Sequence, residues 1–430
     1  MRRFSAAFLA VATATLFTAC PGPAPRAIDR PTPPPATPAP ATPEPVPYVP
    51  NKRMETAKMF SGIQVRATVE TEFGSTATAD RNEPLSYTLD LQMKVRIPKP
   101  HRELAEVTGL NDQLPRILPT LPALLESAQI SPFFEELYRL KTENLQRSLT
   151  RLDNLLSRHN FYDCETILEL QSPATKRRAL FIQSDMDVDS DGSDSDRVPE
   201  IDGSSVTFQP FTSYKWPKKT PRPNSFIAPR EARLKQNDQE LAKPGIAPAR
   251  VKEIKQAQAQ IRLEIDDLNK ASFLVASTDP YVVLPGSMFG KAKTPFTPGV
   301  GDYCAVIAGG VIYPAIVGDV GPKTKMGEAS VRLCKQINPA STMAIRPVSD
   351  LKVTYLVFPG TADRPFDVPD LEKWRTRCAA LLEELGGHQG ELFVWEDLTK
   401  PKPVAPVETV APATPAPAVT PPSTPAPKAQ

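Results

Sequence analysis

The sequence predicts an α+β protein that is mainly β: a compact, mostly antiparallel β-barrel with added helices, preceded by a hairpin-plus-helix module. Three observations carry this. Short apolar runs at 304–308 and 311–317 flank Gly309-Gly310, the pattern of a buried hairpin. Period-two alternation runs through Ile63, Val65, Ala67 and Val69, and again through Leu85, Tyr87, Leu89, Leu91, Met93, Val95 and Ile97, as expected of two half-buried strands. The strand ending in Gly318-Asp-Val-Gly-Pro322 leaves the core through a tight loop, and this crossover suggests a double-psi-like topology.

The chain begins Met1-Arg-Arg, followed by the apolar run FSAAFLAVATATLF and then Thr18-Ala19-Cys20. A basic start, a short apolar core and small residues before a cut describe an export signal. The cysteine after Leu-Phe-Thr-Ala resembles a bacterial lipoprotein box, which implies a lipid on Cys20 and a tethered envelope protein; secretion without lipid is the other outcome. Residues 21–55 are rich in Pro, Ala and Thr and cannot form a core, so they read as an extended linker, and 401–430 read as a disordered tail of like composition. Of 430 residues 50 are proline, many of them in these tails, which leaves roughly 350 to fold. A net charge of +2 gives no footprint for nucleic acid.

After the predicted hairpin, 104–128 is leucine-rich but cut by Pro115, Pro119 and Pro122, so only short helical pieces are expected. Ser131-Pro132 then opens a helix to about Arg158, its apolar stripe (Leu137, Leu145, Leu149, Leu152, Leu156) expected to pack on the hairpin. The module 56–158 precedes a domain at 159–362 with an insertion at 215–270. A helix stopped by Gly386-Gly387, and a last strand, fill 363–400. Between Lys215 and Lys255 eleven Lys or Arg face four acids, and 249–271 reads as a helix.

Six aspartates lie between Asp185 and Asp196. Asp187 to Gly192 imitates the start of a calcium loop, but the twelfth position is Val198 where a bidentate Glu is needed, so a calcium sensor is not supported. The stretch 301–334 holds the candidate chemistry. Asp319 sits where a strand leaves the core, and Glu328 is read as the first residue of a helix, EASVRLCKQI. Two carboxyls at the ends of one rigid loop suit glycosidic cleavage, which needs one protonated and one ionised acid. A helix N-terminus would favour the ionised form of Glu328, hence the base role.

GVIYPAIVGDVGPKTKMGEAS resembles the core motif of the family-75 glycoside hydrolases, the fungal-type chitosanases, in which an Asp and a Glu flank such a loop. FYDCETILEL, DMDVDSDG, TSYKW and PYVVLP follow in the family's order. The resemblance covers roughly residues 155–362 and implies an endo-acting, inverting glycosidase on chitosan or a related amino-sugar polymer, with Asp319 and Glu328 catalytic. It implies substrate contacts at Asp185, Asp187, Asp189, Asp191 and Tyr214. Ser190 stands where the family often has Cys, which removes one expected cystine partner. A polycationic substrate fits the acidic strand end but not the basic insertion.

Apart from Cys20, four cysteines remain, with three pairings if oxidised: Cys164, Cys304, Cys334 and Cys378. Three scattered histidines make no zinc pattern, and Gly-x-Ser-x-Gly and Gly-x-Gly-x-x-Gly are missing from the sequence, so zinc, serine-nucleophile and dinucleotide chemistries are unsupported. Trp374 and Trp395 are read as packing residues. The expectation is an exported, cofactor-free, monomeric glycosidase, lipid-anchored at Cys20. The alternative is an envelope lipoprotein that binds glycan or peptidoglycan without cleaving it.

Overall fold

The alternating segments form one hairpin, β1 (Ile63–Phe73) and β2 (Leu85–Val95), paired antiparallel from Ile63 opposite Val95 to Phe73 opposite Leu85. The computed structural model describes residues 63–73, 85–95, 99–148, 163–290 and 293–400; Cys20, the linker and the C-terminal tail lie outside them. Prolines cut the leucine-rich stretch as expected into α1 (Leu104–Leu110), α2 (Leu114–Ile117) and α3 (Leu121–Glu126), with Pro in the first turn of the latter two, where no N–H is missed. After β3 (Gln129–Ile130), the Ser131 hydroxyl accepts the Phe133 N–H and caps α4 (Pro132–Arg147).

Two expectations for α4 need correction. The helix ends at Arg147 instead of about Arg158, and Leu149, Leu152 and Leu156 lie outside the described residues. Its apolar face serves the barrel: Phe134, Leu137 and Tyr138 join a core cluster built from barrel strands, and the Tyr138 hydroxyl donates to the Cys164 carbonyl.

β4 (Cys164–Gln171) and β5 (Arg178–Asp189) follow as an antiparallel pair. The insertion is β6 (Lys215–Pro217), α5 (Ile227–Leu241), α6 (Pro248–Lys270) and β7 (Ala271–Phe273), with α5 packed on α6 and β6 paired with β7. Then come β8 (Tyr281–Pro285), β9 (Tyr303–Ala308), β10 (Val311–Gly321), β11 (Glu328–Ser330), α7 (Val331–Ile337), β12 (Val348–Val357), α8 (Leu371–Leu385) and β13 (Glu391–Leu392).

Six strands close a barrel in the order β5-β12-β9-β10-β8-β11 and back to β5. Four of the six pairings are antiparallel; β10–β8 and β11–β5 are parallel, so both arise from crossovers and not hairpins. The β9–β10 turn uses Gly309 at φ +58°, a conformation the first central residue of this tight hairpin needs and glycine adopts without strain.

The strands carry two apolar layers. One takes side chains from all six barrel strands, among them Val188, Val282, Val306, Val317, Ala329 and Tyr355. The other takes alternate positions such as Phe181, Val283, Ala305 and Leu356 and is covered by α8 through Trp374, Cys378, Leu381 and Leu382. Trp374 and Trp395 are thus packing residues, 5% and 6% exposed. All four described cysteines are buried free thiols, and burial pushes each thiol up, so none is poised for reaction.

Candidate active site

The site is a row across four strands. Asp319 on β10 and Glu328 on β11 both pair with Val283 on the strand between them, β8, and Glu328 also pairs with Asp187 on β5. Directly opposed residues project from the same face of a sheet, so Asp319, Val283, Glu328 and Asp187 share one face. With two strand spacings between them, the Cα atoms of Asp319 and Glu328 stand roughly 9–10 Å apart. Along β5 the period of two adds Asp185 and Asp189 to this face.

Local backbone features aim each group. Between Val317 and Asp319 the β10–β8 register slips by one residue, Gly318, and a Cβ there would lie 2.6 Å from both Leu274 and Tyr281. The bulge re-aims Asp319. The Asp319 Oδ1 atom then accepts the Ser213 N–H at 2.9 Å, the Ser213 hydroxyl at 2.5 Å and the Val320 N–H at 2.7 Å. Glu328 is held by a cation instead: the Lys325 ammonium bonds its Oε1. Gly321 leaves the space that Glu328 occupies, because a Cβ there would meet Oε2 at 2.8 Å.

Glu328 therefore opens a strand. The expected helix starts three residues later at Val331, capped by the Ser330 hydroxyl, so the helix dipole is not what sets the charge of Glu328.

Asp189, Asp191 and Asp319 bring carboxylate oxygens within 4.8 Å of one another, close enough to converge on a cation. Asp189 accepts the Tyr281 hydroxyl at 3.0 Å and the Asp191 N–H at 3.1 Å; Asp191 accepts the Gln209 N–H at 2.7 Å. Burial raises the affinity of Asp189 and Asp191 for a proton, helped by repulsion from Asp319 on Asp189 and from Asp189 on Asp191. Burial pushes Asp319 up to about 6 against the pull of its three hydrogen bonds. It raises Glu328 too, opposed by Lys325.

Asp187 closes the row between two cations, Arg346 Nε at 2.6 Å and Lys325 Nζ at 3.8 Å. Two residues of the expected set stand apart. Asp185 is fully buried and bonded by Arg346 at 3.3 Å, beneath the site and not on its surface. Tyr214 is 7% exposed, packs on Phe366 at 4.2 Å between ring centres, and gives its hydroxyl to the Asp367 carbonyl. Its neighbour Ser213 is the residue of TSYKW that reaches Asp319. Sequence reasoning also missed Lys325, Arg346, Tyr281 and Gly321. Only Lys325, three residues before Glu328, left a visible signal.

The basic insertion is less basic than its first forty residues suggest. Acids further along α6 answer it: Glu264 pairs with Arg230 at 2.8 Å, Asp267 with Lys215 at 3.0 Å and Asp266 with Lys270 at 2.6 Å. Glu240 takes Arg250 at 2.7 Å.

A closed barrel with a row of carboxyls on one face is an arrangement that glycosidic chemistry can use. Residues 186–388 match the family model of the fungal chitosanases of glycosyl hydrolase group 75, and over that span the chain is similar to this family. No curated protein matches the chain in sequence. The match includes Asp319, Glu328, Asp187, Asp189 and Asp191. It begins inside β5, so β4 and the first half of β5 belong to the barrel sheet but precede it.

Proposed function

We propose that the domain hydrolyses β-1,4 bonds within chitosan or a related amino-sugar polymer by an inverting mechanism, with Asp319 as general acid and Glu328 as general base. The observation that carries this is the placement of Asp319 and Glu328 on either side of Val283 on one face. Inverting glycosidases hold their two carboxyls roughly 6.5–9.5 Å apart to admit a water, and two strand spacings are of that order.

The roles follow from the partners. Asp319 is held only by neutral donors and retains its proton to about 6, so it can protonate the leaving oxygen. Glu328 keeps a lysine ammonium in contact, which favours the carboxylate that activates water. Asp189 and Asp191 place carboxyl oxygens beside Asp319 that can accept from the ammonium group of a glucosamine unit next to the scissile bond, whose charge would favour their ionised forms. The internal ion pairs of the insertion reduce the repulsion such a polymer would meet.

The test is a reducing-end assay on chitosan and on peptidoglycan with Asp319→Asn and Glu328→Gln alongside, and NMR of the first anomer released. Chitosan cleavage with the α-anomer appearing first, lost in both variants, supports the reading. No product from either polymer would leave a non-catalytic glycan binder. We further propose that the chain is exported and lipid-anchored at Cys20, with 21–55 as spacer; metabolic labelling with a fatty acid should mark the wild type and not Cys20→Ala.

A further inference from the structure

The loop between the two carboxyls is held from below by side chains that precede the family match. Lys141, in the second half of α4, and Asp163, just before β4, form an ion pair of 2.9 Å with 1% and 0% of their side-chain surfaces exposed. The same ammonium donates to the Thr324 carbonyl, and the same Asp163 Oδ2 accepts the Met326 N–H at 3.0 Å. One buried pair thus grips the backbone on both sides of Lys325. A residue further on, the Gly327 carbonyl accepts the Asp187 N–H at 2.5 Å. A Cβ on Gly327, which sits at φ +80°, would come within 2.4 Å of the Asp185 carbonyl oxygen.

Taking two charges out of water is costly, and apolar contacts would hold a helix on a barrel more cheaply. Phe134, Leu137 and Tyr138 already do so for α4. The buried cation is therefore not explained by attachment of the helix; what it adds is a grip on the loop. We propose that the Lys141–Asp163 pair is a positioning device for Lys325, aiming its ammonium at Glu328 so that this carboxylate stays ionised.

The proposal rests on the base role of Glu328 argued above. Lys141 and Asp163 act through Lys325 and touch no sugar. The groups facing Glu328 are Lys325 from the loop, Asp187 and Asp189 from β5, Asp191 beyond it, and Asp319 from β10, with Arg346 bound to Asp187. If Lys325 swings away, mostly acids remain, and repulsion favours the protonated form. The working enzyme then starts at α4, well before Met186.

The experiment uses the full chain carrying Lys141→Met with Asp163→Asn, which removes both charges together and keeps an oxygen facing Met326. The Glu328 carboxyl is titrated by carbon NMR in glutamate-labelled protein, without substrate, and kcat/KM on chitosan is followed against pH. The midpoint for Glu328 should rise by about one unit, and the acid limb of the profile should rise with it. At the optimum kcat should fall roughly ten- to a hundred-fold while KM stays within about two-fold. Lys325→Met should give the same shift, and adding the clamp variants to it should give no more, because they act through one ammonium.

A Glu328 midpoint and a pH profile left at their wild-type positions, with only the melting temperature lowered, would overturn the proposal. If wild type does not cleave chitosan, the enzymatic reading falls while the Glu328 titration still decides the clamp. Should the double variant fail to fold, Asp163→Asn alone reads the same titration. An upward shift there supports the clamp and an unmoved midpoint refutes it.

Discussion

The two ends of one loop treat the same functional group in opposite ways. At the β10 end Asp319 meets two amide N–H groups and a hydroxyl, all on one oxygen, in a crowd of other acids. At the β11 end Glu328 meets a lysine ammonium that is itself steadied by the backbone around it. Neutral donors to a carboxylate favour its ionised form modestly and a close cation favours it more strongly, each against the burial that raises both groups. In the proposed mechanism this difference makes one of two acids of similar intrinsic strength the proton donor and the other, nine residues on, the proton acceptor.

The largest way to break this comparison is to remove either acid. Glu328→Gln and Asp319→Asn should each lower kcat on chitosan by about 10²–10⁴-fold, and a variant that cleaves at the wild-type rate clears its residue of any role. Next, Gly321→Ala puts a methyl 2.8 Å from Glu328 Oε2 and 2.9 Å from Val283 Cγ1. Displacing that carboxylate should cost roughly ten- to a hundred-fold in kcat with little change in melting temperature.

Ser213→Ala sharpens the other end. The hydroxyl bond holds Asp319 down, so its loss raises the Asp319 midpoint and moves the basic limb of the pH profile to higher pH, with kcat lowered only about two- to five-fold. An unmoved basic limb would detach Asp319 from the acid role.

The smallest effect is on stability. Asp319 binds its proton up to about 6 and Asp191 to about 8, against roughly 4 for an unfolded Asp. Carboxyls raised on folding favour the folded form below about pH 4, and that contribution is lost as pH climbs through 6 to 8. Wild type should therefore melt at lower temperature at pH 8.5 than at pH 5, and Asp191→Asn should narrow the gap. An equal gap in the variant would show that the cluster does not store this repulsion.

Much of the barrel was legible because its signals are local. Gly309-Gly310 between apolar runs makes a hairpin anywhere, and Asp319 ends the second of these strands whatever else the chain does. Glu328 was misplaced for the opposite reason. EASVRLCKQI reads as helix by itself, but β5 and β8 offer Glu328, Ala329 and Ser330 two free edges, and pairing there overrides the helical preference of three residues. TSYKW drew attention to its tyrosine, yet the ring is absorbed by Phe366 and Trp216 while the small serine faces the acid. The insertion reads as basic between Lys215 and Lys255 because acids that answer it, Glu264 and Asp267, lie further along α6. The clamp was invisible, since Lys141 and Thr324 are 183 positions apart and only the fold makes them neighbours.

The most direct test of the division of labour is the order in which Asp319 and Glu328 titrate, read from carboxyl carbon shifts in selectively labelled wild-type protein. The account predicts that on lowering the pH Asp319 takes its proton first, near 6, while Glu328 remains ionised beside Lys325. Protonation of Glu328 at the higher pH, with Asp319 still charged, would contradict it and exchange the two roles.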